Sequence, residues 1–260
     1  MTLDPLNALQ AVVGNSNIGT PPAAMDRSLV FNAAESNFLS LAPAQFGSYD
    51  RAKFAVSTWF KRAGTSDEEL IGHHESAGSS DSWRLRFRDS ALEFSSNKSL
   101  VDLEDGYFKT TMTFAADAWH HLLFHYDSAN GTASERLKLW IDGAEISSFT
   151  STPTWPTGPV LASSGDFKIG SASGGEFDGK LFQPAFFAGS LPTIEQVYAD
   201  GSPLGSARSL VLLDGLYSLL DGNQGIAETD YVLRQQSPPV SWLSNGAGSP
   251  QVITSSDIPT

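Results

Sequence analysis

A chain of 260 residues without cysteine forms no disulfide and offers no thiolate to a metal or a substrate. Its formal charge of −13 argues against a nucleic-acid surface, which needs clustered Lys and Arg to neutralise phosphates. The length suits one large β-sandwich or two modest domains, and it buries a full core without staples.

Residues 1–27 read as an N-terminal arm and linker. Met1 to Val13 has no basic n-region and is interrupted by Asp4-Pro5, so no secretory leader is expected. Pro5 to Val13 predicts a short helix with Leu6, Leu9 and Val13 on one side. Gly14 to Pro22 carries no periodicity and reads as linker. No stretch reaches the ~18–20 apolar residues of a membrane span, so no insertion is expected.

The domain proper spans 28–234. Ser28 to Asn32 and Phe38 to Leu41 predict short strands. Phe54 to Lys61 predicts a longer one, with Phe54, Val56, Thr58 and Phe60 on one face and Ala55, Ser57 and Trp59 on the other. Leu70-Ile71 leads a further strand. Trp83 to Arg88 alternates strictly: Trp83, Leu85 and Phe87 face one way, Arg84, Arg86 and Arg88 the other. Asp89-Ser90 makes the turn and Ala91 to Phe94 returns. Phe108 to Phe114 is another strand.

Trp119 to Asp127 alternates like a half-buried strand. Leu137 to Ile141 runs into an Asp142-Gly143 turn, a hairpin signal, and Ala144 to Phe149 is expected to return antiparallel. Thr150 to Gly165 reads as a long loop carrying Trp155. Phe167 to Gly170 and Phe177 to Ala188 predict two more strands. Thr193 and Gln196 fit a capping box that opens a helix of about two turns, which Gly201 stops. Ser209 to Leu213 and Leu216 to Leu220 look like further core strands. Residues 235–260 read as an extended C-terminal tail anchored by Trp242. Roughly a dozen short strands with turns between them predict an all-β, two-sheet antiparallel sandwich with one short helix.

Five histidines raise the question of a metal: His73, His74, His120, His121 and His125. On a strand, His121 and His125 share a face but stand ~13 Å apart, too far to chelate one ion directly. His120 shares its face with Leu122, Phe124 and Tyr126 and reads as a core histidine. No Gly-x-Ser-x-Gly elbow, Walker loop or dinucleotide fingerprint is present.

Several segments, in order, resemble laminin-G-like domains of the concanavalin A-like lectin-glucanase superfamily. Phe31 to Leu41 resembles the opening strand pair, with Asn32-Ala33 in place of the usual Asp-Gly. Phe54 to Arg62 resembles the "F-T-x-S-x-W-x-K-R" strand, and Trp119-His120-His121 the "W-H-H-V" strand. Leu137 to Gly143 resembles the "L-Y-V-D-G" strand and turn. Phe167 to Gly170, Phe177 to Phe187 and Leu191 to Gln196 resemble the closing strands and the helix after them. The resemblance implies a jelly-roll sandwich that presents surfaces for binding.

A finer resemblance is to such domains in tailed-bacteriophage virion proteins, carried by Thr132-Ala-Ser-Glu-Arg136-Leu-Lys-Leu139. It implies a non-enzymatic part of a virion assembled in the bacterial cytoplasm. Its work there would be capsid decoration, particle stabilisation or host attachment through cell-surface glycans. The partners would be other virion subunits, met through the arm and the tail. A free-standing carbohydrate-binding lectin module is the alternative. A glucanase is disfavoured, because the family's Glu-x-Asp-x-x-Glu arrangement is missing. Asp102-Leu-Glu104-Asp105 is the nearest acidic cluster, and its order is wrong.

The resemblance also implies a candidate calcium site at the rim. Asp127, Asp166 and Asp178 lie at loop edges and supply the hard oxygen ligands calcium prefers; Asp142 reads as the turn residue before Gly143. For glycan contact the candidates are Trp155, flanked by Pro153 and Pro156, and the arginine row Arg84, Arg86 and Arg88. The row suits an acidic glycan or an acidic subunit, but a solvated strand face is the favoured reading.

Overall fold

The computed structural model describes residues 28–36, 38–41, 50–73, 83–96, 107–151, 166–171 and 175–198, and four later strands. The strands run β1 (Ser28–Phe31), β2 (Leu39–Leu41), β3 (Lys53–Arg62), β4 (Glu68–His73), β5 (Trp83–Arg88) and β6 (Ala91–Ser96). Then come β7 (Tyr107–Thr113), β8 (Trp119–Asp127), β9 (Leu137–Ile141), β10 (Ala144–Glu145), β11 (Phe149–Ser151), β12 (Phe167–Ile169) and β13 (Gly179–Ala188). Helix α1 (Ile194–Val197) precedes β14 (Leu216–Leu219), β15 (Asp230–Val232), β16 (Ser241–Ser244) and β17 (Ile253–Ser255). The predicted arm 1–27 and the predicted strand 209–213 lie outside the described residues.

Two antiparallel sheets stack. The first has eight strands, ordered β10-β9-β8-β3-β13-β1-β17, with β14 also paired to β13. The second has nine, ordered β11-β7-β6-β5-β4-β12-β2-β16-β15. The period of two sends alternate side chains inward, and aromatic rings from the two sheets meet between them. Phe54 lies against Trp83 with ring centres 4.9 Å apart, Phe94 against Phe124 at 4.6 Å, and Phe60 against Phe87 at 5.0 Å. All six are essentially inaccessible to solvent. Burying one such ring contributes about 1.5–3 kcal/mol before packing terms, so this layer dominates the stability.

The first sheet is covered on its other face as well. Ala55, Trp59, Leu123, Phe182, Ala185 and Phe187 form a second apolar cluster with Val197, and Leu191, Ile194 and Tyr198 close over it. Residues 191–198 therefore act as a cover. The Thr193 N–H donates to Gln196 Oε1 at 2.8 Å, as the capping box predicts.

Three expectations need correcting. The helix is a single turn ending at Tyr198, whose backbone is extended (φ −139°, ψ 123°), and it does not run on to Gly201. The cause is Tyr198 itself, which stacks on Trp59 at 5.5 Å and cannot do so from a continuing helix. Residues 144–149 do not form one returning strand. The chain leaves the first sheet after Ile146, whose N–H still donates to the Leu139 carbonyl, and crosses to the second, where β11 pairs with β7 and Phe149 packs on Phe108 at 3.9 Å. Finally, the stretch 235–260 contributes two paired strands: β16 lies between β2 and β15 in the second sheet, and β17 pairs with β1 at the edge of the first.

Candidate functional site

The outer face of the second sheet carries a row of charge. The β4–β5–β6–β7 registers set Glu69 opposite Arg86, Arg86 opposite Glu93, and Glu93 opposite Lys109. Signs alternate across four strands, a span of about 14 Å. Arg84 Nη1 donates to Glu69 Oε1 at 2.9 Å, and Arg86 Nε donates to Glu93 Oε1 at 2.6 Å. Lys109 Nζ reaches Asp89 Oδ2 at 2.7 Å and holds that exposed carboxyl below its usual range. Both glutamates are buried, whereas the arginine side chains keep 20% to 45% of their surface in solvent. The carboxylates thus form a floor and the guanidinium groups a half-wet roof. Burial, then the neighbouring Arg86, pull Arg84 below the usual guanidinium range, while Glu69 and Glu93 oppose the shift.

The arginines are the residues read from the sequence. The structure adds what that reading missed: Glu69 and Glu93, which pair with them and offset most of their charge. Two carboxylates on one sheet face also invite a hydrolytic reading. Each already accepts an arginine, however, and Arg86 lies between them in the register.

On the first sheet, His121 and His125 share the face beneath residues 191–198, as their spacing predicts. The Pro192 carbonyl can only accept, so His125 Nε2–H donates to it, at 2.9 Å. Burial pushes the His125 imidazole down to about 4 and His121 to about 3, so both are neutral at pH 7. His121 Nε2 lies 3.1 Å from Ser57 Oγ, and its ring packs against both Trp59 and Tyr198, each with centres 5.1 Å away. This is no catalytic triad: Ser57 and His121 are buried, and His121 Nδ1 has no hydrogen-bond partner among the described residues to orient it.

His120 faces the core side, against Phe60 and Phe114, but it is only half-buried because it sits at the sandwich end. Its Nδ1–H donates to Asp142 Oδ2 at 2.7 Å, while Asp142 Oδ1 accepts the His121 backbone N–H at 2.8 Å. Burial pushes the Asp142 carboxyl up, but these bonds outweigh it and hold the group below its usual range. Asp142 is a turn residue at φ 50°, followed by Gly143 at φ 82°. A Cβ on Gly143 would lie 2.7 Å from the Tyr198 ring, so this turn also needs glycine for room.

The structure does not bring Asp127, Asp166 and Asp178 together. Asp127 stands opposite Lys53 at the start of β3 and lies 3.8 Å from its ammonium. Asp178 precedes Gly179, which pairs with Arg62 at the other end of β3, about 30 Å away. Asp166 precedes Phe167, which pairs with His73 at the far end of β4, whereas Asp178 lies by the loop at the near end. Among the described residues no group of three or more His, Asp or Glu is placed to hold a metal ion. Nor is any helix there long and apolar enough to cross a membrane. Trp155 lies outside the described residues.

With this geometry, the chain matches over residues 34–195 a laminin-G-type family described as the concanavalin A-like lectin/glucanases superfamily. The chain belongs to that family. Among solved structures it is similar to a candidate carbohydrate-binding protein from Bacteroides ovatus, with a TM-score of 0.61 and 15% identity. That similarity covers 92% of this chain and 62% of the other, so this chain spans less than two thirds of that protein. A heptameric SAP-like pentraxin from Limulus polyphemus is also similar, with a TM-score of 0.49, 13% identity, and 67% and 82% of the two chains covered. No curated protein matches the chain in sequence.

Proposed function

We propose that this chain is a non-enzymatic, glycan-binding sandwich carried on a bacteriophage virion. The observation behind the glycan half is the charged row on β4–β7. Saccharides are gripped by planar groups that form paired hydrogen bonds and are fixed before the ligand arrives. Here buried carboxylates hold the guanidinium groups in place while leaving them part-exposed. The candidate carbohydrate-binding role of the Bacteroides ovatus protein agrees with this. Hydrolysis would need one carboxyl holding a proton and a second free to attack or to activate water. Glu69 and Glu93 instead serve as acceptors in ion pairs.

The virion half rests on the resemblance of residues 132–139 and on the lack of cysteine, which suits assembly in a reducing cytoplasm. Pairing of β16 and β17 within the chain leaves docking on neighbouring subunits to residues 1–27. The same pairing favours a second reading, a free-standing lectin module whose C-terminal strands pair within its own sheets.

A glycan array of the purified chain, with and without calcium, tests the proposal. Binding to defined saccharides is expected in both conditions, because the charged row needs no ion. Binding only with calcium would move the site to rim aspartates such as Asp127, Asp166 or Asp178. No binding in either condition would leave a purely structural virion part.

A further inference from the structure

Three of the four cations on the charged row are engaged at hydrogen-bond distance: Arg84 with Glu69, Arg86 with Glu93 Oε1, and Lys109 with Asp89. Arg88 is different. Its Nη1 lies 3.9 Å from Glu93 Oε2, beyond hydrogen-bond reach, and it is the most exposed of the three arginines at 45%. Glu93 is fully buried, yet its Oε2 has no hydrogen-bond partner among the described residues. Native structures rarely leave a buried carboxylate oxygen without a donor, so this one points to an occupant.

We infer that the Arg88–Glu93 gap takes one hydroxyl of a neutral saccharide. A hydroxyl both accepts and donates. Set about 2.8 Å from each atom, it accepts from Arg88 Nη1–H and donates to Glu93 Oε2. A separation of 3.9 Å suits that bridge. A sugar carboxylate does not fit, because it brings only acceptors and sets negative charge against Glu93. The gap therefore selects a neutral glycan despite the arginines, because Glu69 and Glu93 offset most of their charge and Glu93 repels a carboxylate at this position. Glu93 Oε2 is shielded from solvent, so Arg88 must swing outward as the ligand enters. This inference rests on the glycan-binding reading and narrows its ligand class.

The test is calorimetric titration of the full chain with neutral gluco-, xylo- and arabino-oligosaccharides and with oligogalacturonate. Arg88→Met and Arg88→Lys are titrated alongside, and thermal melts confirm that both variants are folded. The wild type is expected to bind a neutral oligosaccharide and not oligogalacturonate. Arg88→Met should weaken that binding by about tenfold or more, with partial recovery in Arg88→Lys. Unchanged neutral binding in Arg88→Met would mean that only water fills the gap, and would overturn the inference while the glycan reading stands. Equal or tighter binding of oligogalacturonate would overturn it too. A wild type that binds no saccharide would overturn both.

Discussion

Replacing Arg62 with methionine is expected to lower the unfolding free energy by about 3–5 kcal/mol. Arg62 closes β3, has no solvent exposure, and lies with its guanidinium 4.3 Å from the centre of the Phe87 ring. Its Nε donates to Glu68 Oε2 at 3.0 Å, Nη2 to the Ser66 carbonyl at 2.6 Å, and Nη1 to the Phe114 carbonyl at 3.4 Å. One side chain thus ties the loop after β3 to the end of β7. Burial pushes the Glu68 carboxyl up, against the pull of Arg62. Removing the arginine strands a buried carboxylate and two carbonyls, and that uncompensated desolvation sets the size of the loss. Urea denaturation at pH 7 checks it. Adding Glu68→Gln to the variant should recover part of the stability, since it removes the stranded charge. A single variant within about 1 kcal/mol of the wild type would show that the pair contributes no more than an exposed one.

Acidification should unfold the protein through His121 and His125. Their folded values, about 3 and about 4, lie below the ordinary 6.5. The unfolded chain therefore takes up protons first as pH falls. The stability held by the neutral rings is complete above pH 6.5, drains as pH drops towards 4, and stops falling below about 3. Two such groups remove about 3–5 kcal/mol between pH 6.5 and pH 4.5, at about 1.4 kcal/mol per unit each. Other charges act in the same place: Lys138 and Lys53 oppose protonation of His125, and Asp142 favours that of His121. Both rings lie beneath residues 191–198, so the cover should loosen first. Urea midpoints at pH 7 and pH 4.5 measure the effect. The difference should shrink in His121→Asn/His125→Asn, whatever that variant's stability at pH 7. An undiminished difference would assign the acid sensitivity to the carboxylates.

What the sequence showed and what it hid have physical causes. Strand parity put His121 and His125 on one face and Arg84, Arg86 and Arg88 on another, because a period of two is a local property. The Arg86–Glu93 pair was within reach. The two-residue turn at Asp89-Ser90 sets Arg88 opposite Ala91, and hence Arg86 opposite Glu93. The Glu69 pairing was not, because the β4–β5 register shifts between Glu69 and Ile71. The rim aspartates looked alike as loop residues. Which end of the sandwich each occupies follows from long-range strand order, which no local pattern carries. Burial of both histidines depends on a cover supplied from residues 191–198, and the helix stops early because Tyr198 turns back onto Trp59.

The most direct measurement is a crystal structure of the chain with a saccharide selected on the array. The sugar is expected on the outer face of β4–β7, with a hydroxyl between Arg88 and Glu93 and further contacts to Arg84 or Arg86. A sugar seated at a rim of the sandwich, or on the covered face of the first sheet beside Tyr198, would contradict it.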